Sequence, residues 1–158
     1  MDNDKLSLAY ELLDKDLYKL IEEKREQNHR MEESQIRDFM YQLLKGVAFI
    51  HKRGYFHRDL KPENLVIKDD KLLKITDFGI IKEQATSLYS PCTDYVATRW
   101  YRAPEVVLRS TDYDFKVDMF AIGCIMAEMY MLMPLFPGHS ELDQINKICQ
   151  VLGTPDSN

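Results

Sequence analysis

The apolar residues change period several times along the chain, and each change marks an element. Residues 6–13 form a short apolar run broken by Ser7 and Glu11, which predicts one strand. Leu17, Leu20 and Ile21 fit a short helix, and residues 22–30 are a charge-rich run that reads as a solvated loop or helix face. From Ile36 onward Phe39, Met40, Leu43, Leu44, Val47 and Ile50 recur at steps of three and four, the spacing of a helix with one buried face, and Gly54 ends it. Residues 65–67 and 72–75 are apolar runs on either side of the polar stretch 68–71, a small hairpin. Residues 77–102 carry no clear period and predict a long loop, of the kind that is usually functional or disordered. Beyond Pro104, residues 117–133 are apolar nearly all the way round, which predicts a helix enclosed by protein on every side and the hub of the core. Pro134, Pro137 and Gly138 break it, and Leu142, Ile145, Ile148, Val151 and Leu152 rebuild an amphipathic helix that runs into Gly153-Thr154-Pro155. The fold class is mainly α (α+β) with a small β-hairpin, and there is no internal repeat.

Composition narrows the class. The 158 residues are enough for one domain with a real core. The 45% hydrophobic and 30% charged content is that of a folded, soluble protein and not of a disordered one. A net charge of −5 argues against nucleic acid as a partner, since a nucleic-acid binder concentrates Lys and Arg on one face. Residues 119–133, the longest apolar stretch, are interrupted by Glu128 and fall short of the roughly 18 residues of a membrane span, so no membrane is expected. Cys92, Cys124 and Cys149 stand far apart with no CxxC pair, and reduced thiols in a cytosolic setting are the simpler reading. The polar, acidic N-terminus does not read as a signal for export.

The chemistry-bearing residues gather in one loop. His57-Arg58-Asp59-Leu60-Lys61-Pro62-Glu63-Asn64 lies between the long helix and the hairpin, where several polar groups can be presented to one point. Asp77-Phe78-Gly79 and Ala103-Pro104-Glu105 follow in order. Each alone is usually a surface turn or a chance tripeptide; three in this order in one short chain are a strong signal.

With these motifs the whole chain resembles the catalytic domain of eukaryotic protein kinases, from the hinge onward: the larger, helical lobe. The resemblance implies ATP as co-substrate, Mg2+ as cofactor, and proteins as substrates. Asp59 would accept the substrate hydroxyl proton, Lys61 would reach the transferring phosphate, and Asn64 and Asp77 would hold magnesium through hard oxygen ligands. Lys61, where tyrosine kinases carry Ala-Ala-Arg, points to serine or threonine acceptors. Val66 would form the floor under adenine, with Tyr10, Glu11 and Leu13 along its edge and main-chain groups of the last two making the hydrogen bonds. Asp118 would bond the backbone around His57 and Arg58, and Phe78 would stack with His57.

Residues 96–105, Leu135-Phe136-Pro137-Gly138, Gln144-Ile145 and Gly153-Thr154-Pro155 look like the cyclin-dependent and mitogen-activated kinases and their relatives. Thr93-Asp94-Tyr95 and the hinge-like Leu17-Tyr18 look most like the male germ cell-associated kinase subfamily, linked to cilia and flagella. This narrower resemblance implies activation by an upstream kinase at Thr93 and Tyr95. Arg58 would meet the phosphothreonine; Arg99 and Arg102 would meet the phosphotyrosine and shape a pocket for a proline after the target residue. It also implies a cytoplasmic setting, extending to the nucleus or the cilium and flagellum.

The chain departs from the family in three places. No Gly-rich loop, no strand with the phosphate-anchoring lysine and no helix with its partner glutamate precede Leu6, so the smaller lobe is expected to be missing. The sequence ends before the helices that would supply an arginine for Glu105. Phe120 stands where most relatives place Trp, and Ile80-Ile81 where Leu-Ala is commoner. The expectation is a truncated sequence from an active kinase, weakly active or inactive by itself, with a non-catalytic kinase-lobe interaction module as the alternative.

Overall fold

The computed structural model describes residues 9–83 and 99–155. In chain order the elements are β1 (Lys15–Asp16), α1 (Leu17–Glu26), α2 (Glu33–His51), β2 (Tyr55–Phe56), β3 (Leu65–Lys68), β4 (Leu72–Ile75), β5 (Lys82–Glu83), α3 (Pro104–Val107), α4 (Lys116–Met131) and α5 (Glu141–Leu152), with a 3-10 turn at Pro62–Asn64. The architecture is mainly helical with a small antiparallel sheet, as the pattern predicts.

Local chemistry accounts for most of the boundaries. Asp16 caps α1 by accepting from Lys19 N at 2.8 Å, and Lys24 and Arg25 in its last turn suit the negative end of the helix dipole. In α2 the buried residues are Ile36, Phe39, Leu43 and Val47, the stripe expected from their spacing. The chain leaves α2 through Gly54, whose φ of +78° is open to glycine at little cost. β3 and β4 pair in register Leu65↔Ile75 to Lys68↔Leu72, and Asp69 and Asp70 turn between them with φ of +52° and +50°, a conformation that Asp tolerates better than most residues. The alternation puts Leu65 and Ile67 into the core and Val66 and Lys68 on the opposite face. The core joins Leu17 and Ile21 of α1, Phe39 and Leu43 of α2, Leu65 and Ile67 of β3, and Ile125 and Met129 of α4, with Phe136 beyond.

Three expectations need correction. Residues 9–13 carry no strand; the pairing is made by Lys15–Asp16 against Ile67 and Val66. β3 is short and its ladder reaches no further back than Asp14, whose N–H bonds Ile67 O at 3.0 Å, and Leu12 is left 90% exposed. The loop 77–102 is not wholly irregular, because Lys82–Glu83 bridges to Tyr55–Phe56, a contact too short to leave a period in the sequence. Finally, α4 is not enclosed on every side. Val117, Ala121, Ile122, Ile125 and Met129 are buried, but Met119, Met126, Tyr130 and Met131 are between 43% and 52% exposed. Apolar residues all round a helix say what could be covered, and not which face the neighbouring elements cover. Among the described residues no helix is long and apolar enough to cross a membrane.

Two polar groups lie at the centre of this core. Tyr101 OH donates to Glu128 Oε2 at 2.6 Å, both side chains being buried. Burial pushes the Glu128 carboxyl up to about 6, against the lowering effect of the tyrosine bond, and the Glu63 carboxylate nearby adds to the rise. Burial also pushes the Tyr101 hydroxyl far up, so it remains a donor. Cys124, one turn before Glu128, is buried with its thiol pushed up to about 12, which makes it an inert packing residue.

Because the Glu128 value lies above its ordinary 4.5, the folded chain holds this proton more tightly than the unfolded one. The group's contribution is fully present below about 4.5 and is lost as pH rises through about 6. Glu128→Gln keeps an acceptor for Tyr101 and removes the ionisation, so urea denaturation should show a smaller loss of stability between pH 5 and 7 than in the unmodified chain. Tyr101→Phe should cost roughly 1–3 kcal/mol, and more at pH 7 than at pH 5, by stranding a buried carboxylate. Equal pH slopes in the unmodified chain and Glu128→Gln would contradict this account.

Candidate active site

The loop after β2 is held from below by α4. Asp118, in the first turn of α4, is 1% exposed. Its Oδ2 accepts from His57 N and its Oδ1 from Arg58 N, both at 2.8 Å, as the resemblance implied. A third partner was not foreseen: His51 Nε2, at the end of α2, lies 2.8 Å from the same Oδ2. A buried carboxylate is tolerated only when so satisfied. Arg58 takes a φ of +73°, unfavourable for a residue with a Cβ, which crowds the neighbouring carbonyl oxygen, and the Asp118 bond to its N–H holds it there.

From this anchor the loop turns its polar side chains toward one another. Asp59 Oδ2 lies 3.0 Å from Lys61 Nζ. Asn64, buried in the 3-10 turn, donates from Nδ2 to Asp59 O at 2.8 Å and to Asp59 Oδ2 at 3.1 Å. Asp59, Lys61 and Asn64 are thus one hydrogen-bonded cluster. Wholly buried His57 braces it: Asp59 N approaches its Nδ1 at 3.3 Å, which makes Nδ1 the acceptor and leaves Nε2–H to donate to Thr76 O at 2.9 Å.

Asp77 enters from the hairpin. The β3–β4 register ends at Leu65↔Ile75, and Thr76 N donates to Asn64 O at 3.0 Å, so Asp77 follows directly on a residue tied to Asn64. Its φ is +63°, and Gly79 N reaches its Oδ1 at 3.3 Å. Phe78 meets the His57 ring edge-on, with centroids 5.3 Å apart, where a stack was expected. The donor types suit a hard cation: the Asn64 amide nitrogen is taken by Asp59, which leaves its carbonyl oxygen uncommitted to that pair, and Asp77 carries a carboxylate. Among the described residues no three His, Cys, Asp or Glu side chains could hold an ion together. Two hard protein oxygens, completed by water and phosphate, are what magnesium uses.

The other candidates lie around this cluster. Glu11 pairs through its side chain with Lys74, and with Lys68 Nζ at 3.5 Å, and the Lys74 ammonium holds its carboxyl below the usual range. Lys74 is the cross-strand partner of Val66, so Glu11 lies over the face of the hairpin that carries Val66. Tyr10 is exposed and Leu13 half-buried. Arg58 and Arg102 line one small cleft with Asp59, Tyr101 and Tyr113, and the Arg58 guanidinium stands 5.9 Å from the Tyr113 ring centre. Arg99 is half-buried in the turn closed by Arg102 N to Arg99 O at 3.0 Å. Thr93 and Tyr95 lie outside the described residues. His51 could not have been found from local pattern, since it acts on a residue 67 positions away.

Asp118→Ala should strip two main-chain N–H groups and His51 of their acceptor, with a loss on the order of 3 kcal/mol in urea denaturation. Asp118→Asn should fall between. Faster amide exchange at His57 and Arg58 in Asp118→Ala is the local signature, and unchanged exchange would show that the anchor lies elsewhere.

Comparison with known proteins agrees with this geometry. The protein kinase domain matches residues 1–157. The chain is 58% identical to the serine/threonine-protein kinase ICK of Rattus norvegicus and 55% identical to the serine/threonine-protein kinase MAK of Homo sapiens, over 154 residues in each case. It is 53% identical over 156 residues to cyclin-dependent kinase F-3 of Oryza sativa subsp. japonica. These alignments cover 98%, 98% and 99% of this chain but 24%, 24% and 35% of those proteins, so the chain spans about a quarter of the length of the first two. With the motif order, the clustered loop and these likenesses together, the chain belongs to the protein kinase family, among serine/threonine kinases of the group that includes the cyclin-dependent and MAK-type enzymes.

Proposed function

We propose that the protein transfers the terminal phosphoryl group of ATP to serine or threonine hydroxyls that precede proline, and that this chain supplies the catalytic loop. The observation that carries the reading is the contact of Asp59 Oδ2 with both Lys61 Nζ, at 3.0 Å, and Asn64 Nδ2, at 3.1 Å. A carboxylate held between two donors keeps one fixed orientation, which is what a proton acceptor for an incoming hydroxyl needs.

In this reading Asp59 takes the proton of the substrate hydroxyl as its oxygen bonds to the γ-phosphorus. The bond from that phosphorus to the bridging oxygen breaks, and ADP leaves with the electron pair. Lys61 places a positive charge beside the transferring group. Asn64 and Asp77 would hold magnesium, which supplies charge neutralisation at the phosphates. Val66 lies under the adenine, with the backbone of Glu11 and Leu13 at its edge beside Tyr10. Arg58, Arg99 and Arg102 receive phosphates on Thr93 and Tyr95 placed there by an upstream kinase, and the arginines after the loop border the proline site. A cytoplasmic, nuclear or ciliary setting goes with this reading.

Asp59→Asn in the intact protein should lower kcat by roughly two to four decades with a Ser-Pro or Thr-Pro peptide, while leaving the melting temperature close to that of the unmodified protein. Near-normal turnover in that variant would remove Asp59 from the proton-accepting role. If the unmodified protein gains no thermal stability from ATP with magnesium and transfers no phosphate, yet still captures peptide substrates, the lobe is a non-catalytic interaction module.

A further inference from the structure

A second buried polar arrangement stands apart from the catalytic cluster. Gln144, in the first turn of α5, is wholly buried, and its Oε1 accepts from Gly138 N at 3.1 Å, an N–H shared with Phe136 O at 2.9 Å. Gly138 is pressed onto this side chain: a Cβ there would come within 2.4 Å of Gln144 Oε1 and 2.6 Å of its Cα. The carbonyl of the same glycine accepts from Trp100 Nε1 at 3.1 Å. Residue 138 therefore carries Gln144 on its N–H and Trp100 on its C=O.

The link is fixed at its helical end. Ser140 caps α5 by accepting from Asp143 N at 3.1 Å, and Asp143 Oδ2 takes His139 N at 2.9 Å, so residues 138–140 follow the helix. At the other end Trp100 sits in the turn 99–102, and its neighbours Tyr101 and Arg102 line the cleft beside Asp59. Arg109 Nη2 to Glu141 Oε1, at 3.1 Å, ties the segment after α3 to the same first turn of α5. The first turn of α5 is thus tied to the chain at residue 100, through Gly138, and at residue 109.

The choice of glutamine has a cost that packing alone does not explain. Gln144 Nε2 is buried with no hydrogen-bond partner among the described residues. An unpaired amide in a core is destabilising, and a methionine of similar length would fill the space without that penalty. What glutamine has and methionine lacks is the oxygen that takes Gly138 N. We infer that Gln144 is a positioning residue, which through Gly138 and Trp100 sets the orientation of residues 99–103 where the peptide substrate binds. The substrate part of this inference rests on the kinase reading; the link itself does not.

Trp100 is the only tryptophan of the chain, so its emission reports on the link directly. Gln144→Met in the 158-residue chain should shift Trp100 emission to the red and increase its quenching by acrylamide. Gln144→Glu, measured at about pH 4.5 so that the buried carboxyl is protonated and keeps an acceptor for Gly138 N, should leave emission near that of the unmodified chain at the same pH. Gly138→Ala, by wedging a methyl group into Gln144, should reproduce the methionine result, and it decides by the same readouts if Gln144→Met does not fold. In the intact protein Gln144→Met should raise KM for a Ser-Pro or Thr-Pro peptide by about twofold to tenfold with kcat held within about twofold, the effect of one net hydrogen bond. Unchanged emission in a folded Gln144→Met, or a fall in kcat with KM unchanged, overturns the inference. If the unmodified intact protein transfers no phosphate, the kinase reading falls and the emission experiment alone upholds or overturns the link.

Discussion

The Asp118 carboxylate is almost fully enclosed, yet it accepts from two consecutive main-chain N–H groups and sits against His51, and the position of the loop 57–64 follows from those three contacts. An ionised group at that depth is costly unless every lone pair is used, so the site tolerates little rearrangement. That intolerance is what fixes the loop: His57 and Arg58 cannot move without stranding a charge in the core. Asp59, the next residue, inherits its place from them.

The hairpin is joined to this loop through one residue. Thr76 gives its N–H to Asn64 O and takes His57 Nε2–H on its carbonyl, so both ends of the loop 57–64 are tied to the strand that leads into Asp77. The loop from α2 and the residue that follows β4 are therefore registered against each other by one main-chain bond, which substitution does not easily remove, and one bond from the His57 imidazole. Rigid elements with cross-braced termini hold reacting groups more accurately than free loops do.

Much of this was readable from residues adjacent in sequence. The stripe Ile36, Phe39, Leu43 and Val47 and the paired runs at β3 and β4 carry their period locally, and the Asp59, Lys61 and Asn64 cluster is contained within six consecutive positions. What escaped acts over distance or through the absence of a neighbour. His51 looks like an ordinary polar position in an amphipathic helix, because its importance lies in what it touches 67 residues away, and Gln144 stands out only within a resemblance, with nothing in its spacing to mark its bond to Gly138. The exposed face of α4 was misread because hydrophobicity records what a residue would tolerate and carries no information on which elements pack against it. The strand expected over 6–13 failed similarly in its described part, residues 9–13: an apolar run needs a partner edge, and β3 offers one only as far as Asp14.

Arg58 and Asp77 both adopt left-handed backbone conformations, on either side of the Asp59, Lys61 and Asn64 cluster. Glycine would enter that conformation at lower cost, but it has no guanidinium or carboxylate to present. At both positions the chain therefore keeps a charged side chain where the backbone alone would favour none. Ordinary selection for a more comfortable backbone and selection for the charge pull in opposite directions at these two sites, so a descendant freed from its chemistry could settle into a calmer fold by replacing either residue with glycine.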